Sequence, residues 1–207
     1  MKRLEAPTLK TASGMPSLTD VAVDSHFNVY VSDYGQQAVY YFPKASANNK
    51  PVVVVQNSSN AASLLTTLKG NHVVISGGCG LDSVRPYTRI SPRRYQAGTC
   101  FSIGTLGLIG GAVDDKLEVM TPVDGGRGLV SVSSPSGSNV FHTPAQEHAQ
   151  IGGVAFNSNA SLAYVSDHHC KCVFAFARPS NGWLAGQPAL ITRYFGFKDL
   201  DIIAVPL

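Results

Sequence analysis

The sequence of 207 residues predicts an all-β fold: a β-propeller of four-stranded antiparallel blades, about four of them complete, with a partial unit at each end. Three observations predict it. First, LTDVAVDSHFNVYVSDYGQQAVYYFP (18–43) returns as IGGVAFNSNASLAYVSDHHCKCVFAFARP (151–179). Both copies read V-A-[VF]-[DN]-S, then Y-V-S-D, then V-x-x-F, and Asp33 and Asp167 stand nine positions before Phe42 and Phe176. Second, two weaker copies, NHVVISGG and DDKLEVMTP, put Ser76 and Thr121 where Ser32 and Ser166 stand, so the markers are 44, 45 and 45 residues apart. Third, VYVSD, AVYYF, PVVVVQ, HVVIS, LVSVS and CVFAF are strand-length runs rich in Val and aromatics, and no segment keeps a helical apolar period over three turns. A single antiparallel blade leaves both faces bare, so a repeat of this length is satisfied by blades that stack on one another.

Taken in order, the blades are expected at 16–59, 60–107, 108–149 and 150–198, with 1–15 and 199–207 as terminal partial units. RLEAPTLKTA reads as the closing strand of one unit, and DLDIIAVPL as the opening strand of another, with Ala204-Val205 matching Ala22-Val23. One strand from each end makes only half a blade and leaves unpaired edges, so a piece of a larger propeller is expected. In the second unit, 61–68 has mild helical character that a loop turn explains equally well, and VRPYTRISPRRYQAG (84–98) reads as a long inter-strand loop on one face. DGGRG (124–128) lacks the Lys-Ser/Thr of a phosphate loop and reads as a hairpin turn.

Composition excludes several classes. A hydrophobic fraction of 44% with 14% charged residues argues for a folded core. A net charge of +3 is too mild to imply a nucleic-acid or membrane partner by itself. No apolar run approaches the roughly 20 residues that span a bilayer, and the first residues hold no apolar signal core. The chain as written is therefore expected to be neither secreted nor membrane-inserted, and its compartment stays open. Cys79, Cys100, Cys170 and Cys172 are too few for a disulfide framework in a chain this long.

VAVDSHFNVYVSDYGQQAVYYF resembles the NHL repeat, and the segment from Ile151 to Thr192, with its Gly182-Trp183-Leu184, is similar to a blade of the gluconolactonase and senescence-marker-protein group. The NHL resemblance implies a propeller that works as a binding or scaffold module. The second resemblance implies a hydrolase acting on a lactone or ester, with Ca²⁺ or another divalent metal in the central funnel. The metal-ligating Asp of that group falls on Asp167, a hard oxygen ligand that also orients water. Its Asn ligand falls on Gly152, which has no side chain, and its early Glu has no counterpart, Glu5 being a poor match.

The densest cluster of chemically capable residues is Asp167-His168-His169-Cys170-Lys171-Cys172. Asp33 holds the same repeat position without neighbouring His or Cys, so the bland expectation is a carboxylate capping the corner between strands. His168 and His169 are expected as solvent-facing turn residues, with a binding role as the sharper reading. Cys170 and Cys172 share a strand face. They suit zinc by ligand type, but a structural zinc site takes a second pair, so ordinary half-buried thiols are expected.

The remaining candidate surface is Arg85, Arg89, Arg93 and Arg94 interleaved with Tyr87 and Tyr95, in a stretch with no acidic residue from Ser83 to Val113. Arginine among aromatics suits phosphates and stacked bases. It equally suits an anionic protein surface. Two classes result. One is a binding module for a protein, peptide or polyanion, with nucleic acid the lesser partner. The other is the metal-dependent hydrolase with a small lactone or ester.

Overall fold

The structure, a computed structural model, describes residues 17–45, 51–56, 63–67, 69–76, 79–80, 82–104, 110–123, 128–144 and 150–195. The two expected terminal units and most of DGGRG lie outside these. Four antiparallel sheets follow one another along the chain as propeller blades. Blade 1 holds β1 (Leu18–Val23), β2 (Val29–Asp33), β3 (Ala38–Phe42) and β4 (Val52–Val55) in that order. Blade 2 holds β5 (Leu64–Thr66), β6 (His72–Ser76), β7 (Ser83–Ser91) and β8 (Arg94–Ala97), with β9 (Phe101–Ser102) pairing the start of β7. Blade 3 holds β10 (Ala112–Val113), β11 (Val119–Pro122), β12 (Leu129–Ser134) and β13 (Gly137–His142). Blade 4 holds β14 (Ile151–Phe156), β15 (Leu162–Asp167), β16 (Cys172–Ala177) and β17 (Ala189–Phe195).

The repeat markers Ser32, Ser76, Thr121 and Ser166 fall on β2, β6, β11 and β15, and all four are buried. Among the described residues β6 and β12, in blades 2 and 3, are covered on both faces because a neighbouring blade lies on each side, which is why Val73-Val74-Ile75 of β6 is an unbroken buried apolar run. Three interblade cores result. Tyr30, Val39 and Tyr41 of blade 1 meet Leu64, Val73 and Ile75 of blade 2. Val74, Val84 and Ile103 meet Val113 and Val119 of blade 3. Met120, Val130 and Phe141 meet Val165, Phe174 and Trp183 of blade 4.

Each blade turns from its first to its second strand in the same way. Asp24, Thr67, Asp114 and Asn157 accept backbone N–H groups from residues further along the turn, at 2.9–3.1 Å. Three residues after each of them, Phe27, Gly70, Leu117 and Ala160 have positive φ of 60°, 66°, 62° and 52°.

Three expectations are corrected. Residues 84–98 are not a loop: β7 and β8 form a tight hairpin, in which Tyr87 and Tyr95 point into the core while Thr88 and Gln96 face out. The alternation of buried and exposed side chains is the strand signature, and the arginines masked it. Leu64–Thr66 is a strand, because Leu64 is needed in the core between blades 1 and 2. Cys170 and Cys172 are not the expected thiols but pair with each other at a Cα separation of 5.2 Å, and Cys79 pairs with Cys100 at 6.2 Å. Among the described residues helix is confined to two 3₁₀ turns, Pro43–Ala45 and Trp183–Ala185, and no helix is long and apolar enough to cross a membrane.

Candidate functional site

Asp167 ends β15 and is fully buried. Its Oδ1 accepts N–H groups from His169 at 2.8 Å and Gln150 at 3.3 Å, while the His168 N–H donates to the Gln150 carbonyl at 2.9 Å. Asp33 repeats the arrangement with Gln36 and Ser17, both at 3.1 Å, and the Tyr34 N–H donates to the Ser17 carbonyl. In both residues Oδ2 is buried with no hydrogen-bond partner. A feature shared with a corner that carries no His or Cys follows the blade pattern, not a ligand. His168 is half-buried and His169 exposed. Gly152 sits at a bulge in β14, and Cys170 and Cys172 are tied to each other. Among the described residues no three His, Cys, Asp or Glu side chains converge as a metal site, so they do not fit the expected three-ligand cation.

Sequence reasoning missed a second cluster, at the other end of the blades. Arg178, which follows β16, reaches across to blade 3, where its Nη2 lies 2.7 Å from Asp114 Oδ2 and also pairs with Glu118 Oε2. The contact with Asp114 is an ion pair without hydrogen-bond alignment. The Leu184 N–H donates to Glu118 Oε1 at 3.4 Å, and the Arg178 guanidinium lies 6.0 Å over the Trp183 ring. Burial lifts the Glu118 carboxyl above its ordinary value of 4.5, and the hydrogen bond and charge of Asp114 add to the lift. Arg178 and the Leu184 N–H oppose it. The cluster borders a central cleft of about 790 Å³ lined by first strands of all four blades, with Asp20, Lys69, Asp115 and Lys116 giving it both signs of charge.

The arginine hairpin builds a different surface. A hollow of about 540 Å³ lies between the first turn of blade 1 and the β7–β8 hairpin, with His26, Lys44, Arg89 and Arg93 among its walls and no carboxylate among its lining residues. Asn28 holds the two walls of blade 1 together: its Nδ2 donates to both Asp24 oxygens at 3.0 and 2.8 Å, and its Oδ1 accepts the Lys44 N–H at 3.1 Å. Arg89 donates to the Ser91 and Pro92 carbonyls at 3.4 and 3.1 Å. Of the other expected binding residues, Arg94 is exposed, and Arg85 is half-buried with its Nε donating to Cys100 Sγ at 3.2 Å. Tyr87 and Tyr95 are 7% and 9% exposed, so neither offers a face for stacking. The Tyr95 hydroxyl is 2.9 Å from that of Tyr30 and 2.9 Å from the Gly70 carbonyl.

The sequence does carry a signal for these sites. Lys44 and Arg178 each follow the closing Phe of a repeat, Phe42 and Phe176, by two positions, and Ala112-Val113-Asp114 matches Ala22-Val23-Asp24. A residue-by-residue alignment of the repeats would have found the cations and the turn carboxylates together.

No protein-family model and no curated protein matches the chain. Solved structures do. A catalytically inactive variant of virginiamycin B lyase from Staphylococcus aureus, solved with quinupristin, is similar with a TM-score of 0.58 and 9% identity, over 90% of this chain and 58% of that one. A protein from Lactobacillus plantarum gives 0.53 and 15%, over 86% and 57%. A streptogramin B lyase gives 0.56 and 8%, over 86% and 54%. The chain thus spans a little over half the length of these structures, and identities this low show the propeller fold alone.

Proposed function

We propose that the chain is a propeller binding module of the NHL type, which receives an acidic segment of a partner protein or peptide where the β7–β8 hairpin meets blade 1. The observation that supports this is the hollow itself, where four basic side chains gather with no carboxylate among its lining residues. Most buried carboxylates are already committed to architecture: Asp24, Asp33 and Asp167 to turn amides, Asp114 and Glu118 to Arg178. A rigid scaffold presenting charged loops gains specificity and association rate from complementary charge.

Fluorescence anisotropy with a labelled Asp/Glu-rich peptide tests the reading. We expect saturable binding that weakens as salt is raised, and a loss on the order of ten-fold or more in an Arg89→Gln/Arg93→Gln double variant. Binding that ignores both salt and the double substitution would refute it.

The metal-dependent lactonase reading draws support from one atom, the buried and unpartnered Asp167 Oδ2. Because Asp33 Oδ2 is in the same state, the binding reading is preferred. Calorimetric titration with Ca²⁺, paired with a lactone-hydrolysis assay, separates the two. We expect no heat and no turnover that Asp167→Ala abolishes, and an Asp167-dependent signal would favour the hydrolase.

A further inference from the structure

We propose that the hollow recognises a phosphate monoester, and that the segment it receives is phosphorylated. This rests on the reading of the hairpin face as the binding face and adds the ligand chemistry to it.

Charge along the chain is uneven. Between positions 34 and 113 stand Lys44, Lys50, Lys69, Arg85, Arg89, Arg93 and Arg94 against Asp82 alone, so more than the whole net charge of +3 resides in that stretch. Three of the four basic walls of the hollow come from it, and His26 is the fourth. A surface that only needed solubility would intersperse the two signs.

The Arg89 guanidinium and the Lys44 backbone are also held in place before any ligand arrives. Arg89 is fixed by two neutral carbonyls of its own hairpin, which orient the guanidinium without neutralising it. Lys44 sits at φ 52°, and its N–H is tied to Asn28. The carboxylate of that turn, Asp24, is fully buried, and its two oxygens accept bonds from Asn28, the His26 N–H and the Tyr30 hydroxyl. It is occupied inward and does not compete for the cations of the hollow. Arg93 is exposed and has no described partner.

The donor count favours phosphate over carboxylate. A carboxylate offers two oxygens and one charge, which a single guanidinium fork satisfies. A phosphate monoester offers three terminal oxygens and close to two charges at neutral pH. The Nη1–Nη2 edge that Arg89 keeps beyond its two carbonyl bonds, the Arg93 fork and an ammonium around one concavity match the second, not the first. At about 540 Å³ the hollow exceeds a bare phosphate and has room for the residue that carries it.

The test uses the full chain and two peptides of one acidic sequence, differing only in Ser against phosphoserine, measured by calorimetry. We expect phosphorylation to tighten binding about ten-fold or more, Arg93→Gln to remove most of that gain, and inorganic phosphate to compete. Lys116→Gln, which removes a charge beside the central cleft, is expected to keep the gain. If both peptides bind equally, the phosphate inference falls and the acidic-segment reading stands. If neither binds, both fall. A gain that survives both Arg93→Gln and the Arg89→Gln/Arg93→Gln double variant overturns the placement. Tighter binding of a single-stranded oligonucleotide than of the phosphopeptide overturns the ligand class in favour of a nucleic-acid backbone. If inorganic phosphate competes only as well as sodium chloride of equal ionic strength, the gain is unspecific screening and the inference falls.

Discussion

Gly70 shows how one position differs from its three equivalents. Phe27, Leu117 and Ala160 take the same left-handed turn position with side chains, so positive φ alone does not demand glycine there. What demands it is proximity: a Cβ on Gly70 would lie 2.2 Å from Asp24 Oδ2 and 2.7 Å from the Tyr30 hydroxyl. Those atoms belong to a buried set of polar contacts linking Asp24, the Tyr30 and Tyr95 hydroxyls and the Gly70 carbonyl, in which two phenol protons serve three contacts, and which joins blades 1 and 2. Gly70→Ala is therefore expected to cost about 3 kcal/mol, combining strain with displacement of the network, whereas Tyr30→Phe costs about 1 kcal/mol for its lost bonds. Urea denaturation of the two variants checks the order, and equal losses would mean that the network tolerates the methyl. Burial, the bond to Tyr95 and the charge of Asp24 all push the Tyr30 hydroxyl to a higher pKa, so it stays a neutral donor to Asp24.

Glu118 gives a pH signature at the same scale. Its carboxyl is lifted by burial and by Asp114 more than Arg178 lowers it, so the folded chain holds that proton more tightly than the unfolded chain does. The stability from this group is fully present below its ordinary value of 4.5 and is lost as pH rises through the lifted folded value. The stability of the native protein minus that of Glu118→Gln should thus decline with rising pH from about 4 upward. A difference that grows with pH would reverse the sign and contradict the placement of Glu118.

Elements were legible wherever one residue type repeats at one position. VYVSD and LAYVSD announce β2 and β15 because blade stacking buries one face and half-buries the other, leaving a run of β-branched and aromatic residues that composition alone reveals. The β7–β8 hairpin was hidden because Arg85 and Arg89 share the face of Tyr87 and Tyr95, so no clean apolar and polar alternation shows, and charge density looks like a loop. The disulfides were illegible for another reason: Cys79 and Cys100 are brought together only by the pairing of β9 with the start of β7. That bond closes a separation of 21 residues and should contribute about 3 kcal/mol through the unfolded chain. Cys170–Cys172 spans a separation of two and should contribute far less. Thermal unfolding of Cys79→Ser/Cys100→Ser and of Cys170→Ser/Cys172→Ser is expected to show a clearly larger drop for the first pair. The reverse order would mean that the short bridge fixes the Asp167 corner.

At the scale of the whole molecule, the repeat predicts blades because neighbours must cover each other, and the same stacking decides where a site can form. Central first strands bring residues of four blades to one cleft, but there charges of opposite sign meet and largely satisfy one another. Between blades 1 and 2 the outer hairpin brings charges of one sign together. The fold was readable from a period near 45 residues, yet the hollow was not, since its walls come from positions 26, 44, 89 and 93 in three separate segments of the chain. Only Arg89 and Arg93 stood out in the sequence, and the partners that complete the site became visible when blade 2 was set against blade 1.

The most direct measurement is a two-dimensional amide NMR map of the chain during titration with the acidic peptide. The account predicts saturable shifts centred on His26, Lys44, Arg89 and Arg93, with β14 and the Asp167 corner unmoved. Shifts centred on the central cleft, or on His168 and His169 with the hairpin silent, would contradict it.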